Sequence, residues 1–240
     1  MEIPSSDELN NVKKSLELMY EVSRAIASSG SLDEILSFIV LLTAQVMNSK
    51  ICSLMLYDEK THELSIQATQ SLSQDYRTKP PVKIGEGVSG KAFQFKKPMA
   101  VLDVTADKNF KYPEIAKKEG LKSLVSIPMI VQEKPIGVLN CYTTQVHEFT
   151  ADEVRLLTSI ASQAAIAIKN KEYLKQKDEM EEALETRKKV ERAKHILMQK
   201  HALSENDAHR HLQQQSMNTR RTVKEIAEAI ILSQEIAKPI

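Results

Sequence analysis

The 240-residue sequence predicts an α+β protein, in which a mixed domain is joined by a long helix to a small all-α module. Short apolar runs separated by turn residues fill the stretch from residue 51 to residue 142, as in antiparallel hairpins. From residue 151 a helical pattern continues without proline or glycine, and two N-capping patterns then divide the last part of the chain into shorter helices. We expect boundaries at residues 1–168 for the mixed domain, 169–186 for a coiled-coil linker helix and 187–240 for the C-terminal module.

The mixed domain is predicted to begin with helices and to continue with two hairpins. Residues 1–48 read as helical, and Ser31 and Glu34 are placed as a capping box. The period then changes to one typical of strands, with polar turns between paired runs. The predicted strands are Ile51–Tyr57 and Leu64–Thr69 in the first hairpin, and Leu124–Val131 and Pro135–Tyr142 in the second.

A glycine-rich segment, Ile84–Ala92, lies between the two hairpins. Its glycines permit a tight loop that leads into a helix. Its spacing is not that of a phosphate-binding P-loop, and no convincing parallel strand precedes it. We therefore do not expect a phosphate cradle there.

Residues 15–168 resemble the GAF family of sensory domains. The motifs that carry the resemblance occur in the family's order and are Gly85–Ala92, Pro98–Val104, Ser126–Met129, Gly137–Asn140 and Phe149–Glu153. The resemblance implies an antiparallel sheet with helices on one side and a pocket on the other. Members of the family bind cyclic nucleotides, tetrapyrroles or other small molecules, and many serve only in dimerisation.

The sequence identifies no cofactor for this pocket and leaves a small-molecule ligand open. It lacks the N-K-x-F-D-E pattern associated with cyclic-nucleotide binding, and it has no cysteine placed to attach a bilin. Ordinary packing or loop anchoring would explain each candidate wall residue equally well. The residues that lie where pocket walls are expected are Asp103, Phe110, Tyr112 and Ile115.

The two cysteines bear on whether the protein is an enzyme. Some relatives with this fold reduce free methionine sulfoxide with cysteines gathered around the pocket. Cys52 and Cys141 stand about ninety residues apart in apolar, strand-like segments, which indicates buried thiols rather than a disulfide or a zinc site. We therefore expect no enzyme, no catalytic residues and no metal site.

The long helix carries an imperfect heptad of apolar side chains. Its apolar members are Ile166, Tyr173, Met180 and Leu184. Asn170 and Lys177 occupy equivalent positions and interrupt the repeat. We expect a short parallel coiled coil that makes the protein a homodimer, and the alternative is a single solvated helix rich in paired Glu and Lys.

Two capping patterns define the C-terminal helices. Ser204 with Asp207, and Thr222 with Glu225, place a hydroxyl at the N-cap and a carboxylate three residues later. The preceding helix should end near His201. Apolar residues at helical spacing on the three helices predict one thin core that contains Val190, Ala193, Leu197, Ala208, Leu212, Val223, Ile226, Ala227 and Ile230.

This module is strongly basic, although the whole chain has a net charge of only +1. Ten lysines and arginines stand between Arg187 and Lys224 against three acidic residues, and four of the six histidines fall in the same stretch. Basic runs usually form solvated helix faces, but their clustering in so small a module favours binding of a polyanion. No aromatic residue follows Tyr173, so any stacking on bases would come from Arg or His planes.

The same residues resemble the ANTAR family of bacterial transcription antiterminators, whose boundary would begin near residue 172. The resemblance rests on Ala193–Met198, Ser204–Ala208, Leu212, Ser216–Met217 and Glu225–Ala227, and it departs from the family at His195 and His209. It implies that the module binds paired hairpins in nascent leader RNA and so prevents a terminator stem from forming. The residues expected to contact RNA are Lys188, Arg192, Lys194, His195, Arg210, Arg220 and Arg221.

Other classes fit the sequence less well. There is no signal sequence and no apolar run long enough to cross a membrane, so we expect a cytoplasmic protein without a membrane partner. The main alternative is a DNA-binding regulator with a sensory domain, because three short helices with a basic face could form a helix-turn-helix.

Overall fold

The structure, a computed structural model, describes residues 30–108 and 110–236, together with residues 13, 16–17, 20–24 and 26. It confirms the α+β class and divides into two compact units, Met1–Lys171 and Glu172–Ile240. The helices are α1 (Leu32–Val46), α2 (Gln74–Arg77), α3 (Gly87–Phe95), α4 (Pro113–Glu119), α5 (Ala151–His201), α6 (Glu205–Thr219) and α7 (Val223–Ile236). The strands are β1 (Ile51–Asp58), β2 (Glu63–Thr69), β3 (Val82–Lys83), β4 (Met99–Val101), β5 (Leu124–Val131) and β6 (Lys134–Tyr142).

The strands form one six-stranded sheet in the order β3-β2-β1-β6-β5-β4, and every neighbouring pair is antiparallel. Both predicted hairpins are confirmed. The turn of the second hairpin has two residues rather than the expected three, because Gln132 and Glu133 both take positive φ angles of 48° and 65°. Two such residues give the primed turn that matches the twist of paired strands, so β6 begins at Lys134.

The two faces of the sheet are covered differently, because successive side chains of a strand point to opposite sides. One face packs against α1 and the first part of α5, with Cys52, Leu54 and Leu139 among its buried residues. The other face is covered by shorter elements and divides into two smaller apolar clusters, one around Tyr76 and Tyr142 and one around Met55, Phe93 and Val138. The resemblance implies that any ligand pocket lies on this second face.

The predicted helix near the N-terminus is confirmed where the chain is described. Ser31 and Glu34 form the capping box of α1, with the Glu34 amide donating to the Ser31 hydroxyl at 3.3 Å. The described positions between residues 13 and 26 are helical. The rest of the predicted helical stretch before residue 30 lies outside the described residues.

The glycine-rich segment allows close packing of a helix against a strand. A Cβ atom at Gly90 would lie 2.3 Å from the backbone oxygen of Lys83, so α3 approaches β3 more closely than any other residue would allow. The Gly85 amide donates to the Gly90 carbonyl at 3.0 Å, which closes the loop on itself.

Helix α5 runs for 51 residues without interruption, as the absence of proline and glycine predicted. Its start is capped by Thr150, whose hydroxyl accepts from the Glu153 amide at 3.2 Å. The apolar heptad positions are exposed, by 45% at Ile166, 55% at Tyr173, 72% at Met180 and 53% at Leu184. These four side chains leave apolar surface exposed along the helix.

The second unit is built from the end of α5 together with α6 and α7. Both predicted caps are confirmed, since the Asp207 amide donates to the Ser204 hydroxyl and the Glu225 amide donates to the Thr222 hydroxyl, each at 3.2 Å. Its core is small, as expected, and its fully or nearly buried members are Ala193, Leu197, Ala208, Leu212, Ile226 and Ala227. In the described part of the chain, no helix is long and apolar enough to cross a membrane.

Candidate nucleic-acid interface and sensory pocket

Most basic residues of the second unit are already paired with carboxylates. Six of the ten lysines and arginines between Arg187 and Lys224 make ion pairs within the unit. The pairs are Lys188–Glu185, Lys189–Glu228, Arg192–Glu235, Lys194–Glu205, Arg210–Asp207 and Lys224–Glu182. The positive charge of the stretch is therefore much less available to a polyanion than the sequence count indicates.

Three of these pairs form a ladder between α5 and α7. Glu182 with Lys224, Lys189 with Glu228 and Arg192 with Glu235 approach within 2.9 Å or less. Individual exposed pairs contribute little stability, but three in a row fix how α7 lies along α5. Arg192, which the sequence placed on an RNA-binding face, is thus engaged by Glu235.

Lys194 occupies the most enclosed position of any predicted RNA contact. The residue is 8% exposed, and its Nζ donates to Glu205 at 2.8 Å and to both oxygens of Glu191 at 3.0 and 3.1 Å. These hydrogen bonds raise the pKa of Lys194 and lower the pKa of Glu205. Because Glu205 opens α6 and Glu191 lies on α5, the lysine ties the two helices together.

The turn between α6 and α7 presents two adjacent arginines to solvent. Arg220 is the C-cap of α6 with φ 55° and ψ 34°, a left-handed conformation that usually favours glycine. The Arg221 amide donates to the Ser216 carbonyl at 3.2 Å, and the Ser216 hydroxyl donates to the Arg221 carbonyl at 2.5 Å. Within the described residues neither guanidinium forms an ion pair, although the charge of Arg221 helps to lower the pKa of Glu225. The backbone of the turn is clamped while both charged groups stay available.

The outer face of α6 continues this exposed surface. Met217 is 73% exposed and lies opposite the stripe of Ala208 and Leu212 that enters the core. Beside it stand Arg210 and a group of exposed amide side chains that were not expected from the sequence, namely Gln213, Gln214 and Asn218. The signal that could have found them is the helical period, since they occupy the side of α6 away from its buried positions.

The remaining predicted contact, His195, faces a neighbour on its own helix. Its Nε2 lies 2.9 Å from Nε2 of Gln199, one turn further along α5. The structure therefore does not bring all seven predicted residues onto one surface. Arg210, Arg220 and Arg221 share the α6 side of the unit, whereas Lys188 and Arg192 line a groove between α5 and α7.

Of the four predicted pocket residues of the first unit, two pack in an apolar cluster and two are held by hydrogen bonds. Phe110 and Ile115 pack against the cluster that contains Tyr76 and Tyr142. The Tyr112 hydroxyl donates to the carbonyls of Pro80 and Pro81 at 2.7 and 3.2 Å. Tyr76 was not anticipated from the sequence, although it is the largest side chain fully buried on this face.

Asp103 lies in a turn. Its carboxylate accepts from the Thr105 hydroxyl at 2.6 Å and from the Thr105 amide at 2.8 Å, and these bonds lower its pKa. Lys122 lies 3.4 Å away and adds an ion pair. These contacts anchor the loop after β4, which is the structural role that the sequence analysis gave as the alternative to pocket lining.

The cysteines are neighbours despite their distance in sequence. Cys52 on β1 pairs with Cys141 on β6, and their sulfur atoms are 3.5 Å apart. Both are free thiols with no exposed surface, and burial raises the pKa of Cys52. They face the α1 and α5 side of the sheet, so neither lies on the face where a pocket is expected, and protonated buried thiols are poor nucleophiles.

Two family models match the chain at the positions where these features lie. The model of the GAF domain matches residues 29–169, and the model of the ANTAR domain matches residues 178–231. The chain belongs to the GAF domain family, and an ANTAR domain follows the GAF domain. This is the architecture of a sensory, RNA-binding regulator.

Curated relatives match about two thirds of the chain. The "Phosphoenolpyruvate-dependent phosphotransferase system" of Escherichia coli (strain K12) is 23% identical over 157 residues, which cover 65% of this chain and 21% of that protein. The "Nif-specific regulatory protein" of Herbaspirillum seropedicae is 27% identical over 158 residues, which cover 63% of this chain and 29% of that protein. The chain therefore matches less than a third of the length of either relative.

Solved structures with the same fold include sensory and enzymatic proteins. The GAF domain from a phosphoenolpyruvate-protein phosphotransferase of Coxiella burnetii has a TM-score of 0.63 and 22% identity, and the match covers 69% of this chain and 99% of that one. A free methionine-R-sulfoxide reductase of Neisseria meningitidis has a TM-score of 0.57 and 18% identity, with 70% and 95% covered. At these identities the similarity establishes the fold alone.

Proposed function

We propose that this protein binds paired hairpins in nascent leader RNA through its ANTAR domain, that its GAF domain regulates this binding, and that the result is transcription antitermination. In this proposal residues 1–168 sense a signal, residues 169–186 form a dimerising linker and residues 187–240 read RNA. The protein acts in the cytoplasm by binding rather than by catalysis.

The observation that carries the proposal is the pair of exposed arginines, Arg220 and Arg221, on a clamped turn. A guanidinium that forms no ion pair is available to phosphate oxygens and to base planes, and a fixed backbone lowers the entropy lost on binding. Arginine planes also supply the stacking that the module would otherwise lack, because it contains no aromatic side chain after Tyr173.

The outer face of α6 extends this candidate interface. Amide side chains such as Gln213, Gln214 and Asn218 both donate and accept hydrogen bonds, so they suit the edges of unpaired bases in a hairpin loop. Arg210 lies one or two turns away from them, and its guanidinium stays exposed because its ion pair with Asp207 is long, at 3.6 Å. We therefore place the RNA contacts on α6 and the following turn, and we assign Lys194 to the packing of α5 against α6.

The experiment compares RNA with DNA on the full chain at one salt concentration. A synthetic RNA with two adjacent hairpins, taken from the leader of a neighbouring gene, should bind more tightly in a mobility-shift assay than the same sequence as duplex DNA. Equal or tighter binding of the duplex would instead favour the DNA-binding alternative.

The matched variants locate the interface. Arg221→Ala should weaken RNA binding and reduce the slope of log affinity against log salt by about 1, as expected for the loss of one phosphate contact. Arg155→Ala, which removes an exposed arginine from the first unit, should leave both quantities unchanged. An unchanged affinity and salt slope for Arg221→Ala would remove this turn from the interface.

A further inference from the structure

Three tyrosines on the second face of the sheet lie around the ammonium group of Lys79, and the Lys111 ammonium group also lies 5.3 Å from the centre of the Tyr112 ring. The Nζ of Lys79 lies 4.2 Å from the centre of the Tyr76 ring, 5.8 Å from that of Tyr142 and 5.9 Å from that of Tyr112. All three distances are within the range of cation–π attraction. Among the described residues the ammonium has no hydrogen-bond acceptor, so aromatic faces alone hold it.

These rings, which we call the tyrosine cage (Tyr76, Tyr112 and Tyr142), are fixed by contacts other than the lysine. The Tyr76 hydroxyl is 2.8 Å from the Ser53 hydroxyl, and its ring meets Tyr142 edge-on with 5.8 Å between ring centres. Tyr112 is held by its hydrogen bonds to the carbonyls of two prolines. A cage that is already formed loses little entropy when a cation enters.

Lys79 reaches the cage from the surface of the protein. It lies in the short loop between α2 and β3 and the residue is half-buried, so its stem reaches the surface. Burial of the ammonium without an acceptor lowers the pKa of Lys79 to about 7. A flexible lysine stem can turn outward, where water solvates the charge fully.

A polar group beside the cage also lacks a partner. Asn140 is fully buried, and its side-chain oxygen accepts from Ser126 at 2.5 Å and Ser89 at 3.0 Å, while its amide nitrogen has no partner. If the amide were turned over, its oxygen would be the group left unpaired. Asn140 lies two residues from Tyr142 on the same face of β6 and opposite Ser53, which holds Tyr76. Unpaired buried polar groups are costly, and a ligand atom would satisfy this one.

We propose that the tyrosine cage is the sensory site for a small organic ammonium compound that carries a polar oxygen, and that Lys79 fills the cage as an internal substitute until the ligand displaces it. Rings supply the attraction for the ammonium group, and Asn140 supplies a hydrogen bond to the oxygen. The proposal gives the GAF domain a ligand class and rests on the proposed function only for the consequence of binding.

The test uses calorimetry on the full chain with choline as the probe. Its control ligand is the uncharged analogue with carbon in place of nitrogen, which has the same shape. Lys79→Ala should bind choline about tenfold more tightly than the natural protein, because the cage is no longer occupied for most of the time. Lys60→Ala, at an exposed lysine outside the cage, should match the natural protein.

A second substitution tests the cage itself. In the Lys79→Ala background, Tyr112→Leu should abolish the preference for choline over the uncharged analogue, whereas Tyr20→Leu, at an exposed tyrosine outside the cage, should preserve it. Because the protein has no tryptophan, tyrosine fluorescence of the natural chain gives an independent reading, and choline should change it while the analogue should not.

Equal affinity for choline and its analogue, or an absence of choline binding in both Lys79→Ala and the natural chain, would overturn the proposal. If Lys79→Ala does not fold, the fluorescence titration of the natural chain decides. Neither measurement involves RNA, so a failure here is distinguishable from a failure of RNA binding.

Discussion

At the residue scale, basic side chains of the second unit differ in role because their charged groups lie in different surroundings. Lys194 and Arg220 were both expected to touch RNA, yet Lys194 is 8% exposed between two carboxylates whereas Arg220 is exposed at a turn. A lysine engaged by two carboxylates has little charge to offer a phosphate. We therefore propose a role in helix packing for Lys194, whose contact with RNA stays a prediction.

We expect Lys194→Ala to lower the thermal unfolding temperature of the C-terminal helices at neutral pH. The lysine lowers the pKa of Glu205 in the folded protein. The stabilisation by this ion pair is therefore fully present above the ordinary glutamate pKa of about 4.3, and it is lost as the pH falls through the lowered pKa of Glu205. The difference from the natural protein, followed by circular dichroism, should therefore shrink near pH 3. Arg210→Ala is the control, because its carboxylate partner is 3.6 Å away and both side chains are exposed. Equal melting of the two variants at neutral pH would contradict the packing role.

We expect Arg220→Gly to separate folding from RNA binding. A left-handed conformation costs about 1–2 kcal/mol for a residue other than glycine, so the variant should be at least as stable as the natural protein in urea denaturation. It should nevertheless bind RNA more weakly because a guanidinium is lost. Lys96→Gly, at the left-handed C-cap of α3, makes the matched change in the first unit and should leave RNA affinity unchanged. A loss of stability in Arg220→Gly would show that the arginine side chain has a structural role.

At the element scale, the short helices of the second unit depend strongly on their ends. Helices α6 and α7 have 15 and 14 residues, and their shared core is small, so end effects are a larger share of their stability than in a long helix. Thr222 and Glu225 cap α7 reciprocally, since the Thr222 amide donates to Glu225 at 2.7 Å. The same cap sets where α7 begins and thus where Arg221 points.

We expect Thr222→Ala to lower the free energy of unfolding of the C-terminal helices by about 1 kcal/mol, as typical for the loss of an N-cap hydroxyl. Thr219→Ala makes the same chemical change at the end of α6, where the hydroxyl bonds a carbonyl of its own helix, and should have a smaller effect. Urea denaturation followed by circular dichroism compares the two. Equal effects would mean that the Thr222 hydroxyl does not act as a cap in solution.

At the scale of the whole molecule, the exposed apolar side chains of α5 point to a second copy of the chain. Tyr173, Met180 and Leu184 lie along the heptad positions that the sequence predicted for a coiled coil, and each is more than half exposed. Burial of such a stripe against an identical helix would remove apolar surface from water. The homodimer remains a proposal that solution measurements decide.

We expect Met180→Lys to shift the protein toward monomer in sedimentation equilibrium over a range of concentrations. A charged side chain in the seam would have to be buried without a partner. Asp178→Lys introduces the same side chain on the opposite side of the helix and should leave the association unchanged. A natural protein that is monomeric at every concentration would exclude the coiled coil.

The sequence by itself determined the four long strands and the long helices in their order, but not the short elements α2, α4, β3 and β4. Alternation of apolar residues located both hairpins, hydroxyl and carboxylate pairs located the starts of α1, α5, α6 and α7, and the absence of proline and glycine determined one continuous helix. These features depend on residues close together along the chain, so their physical causes can be read directly from the sequence.

Only the tertiary structure decided which side chains remain available. The contact of Cys52 with Cys141, the three tyrosines around Lys79 and the two carboxylates on Lys194 all join residues from different elements. The charge count of a segment does not reveal whether an ammonium group meets water, a ring or a glutamate. The surroundings of each charged group depend on strand register and on helix packing, which long-range contacts set. For this reason the candidate interface is centred on α6 and the turn that follows it, and not on the whole basic module.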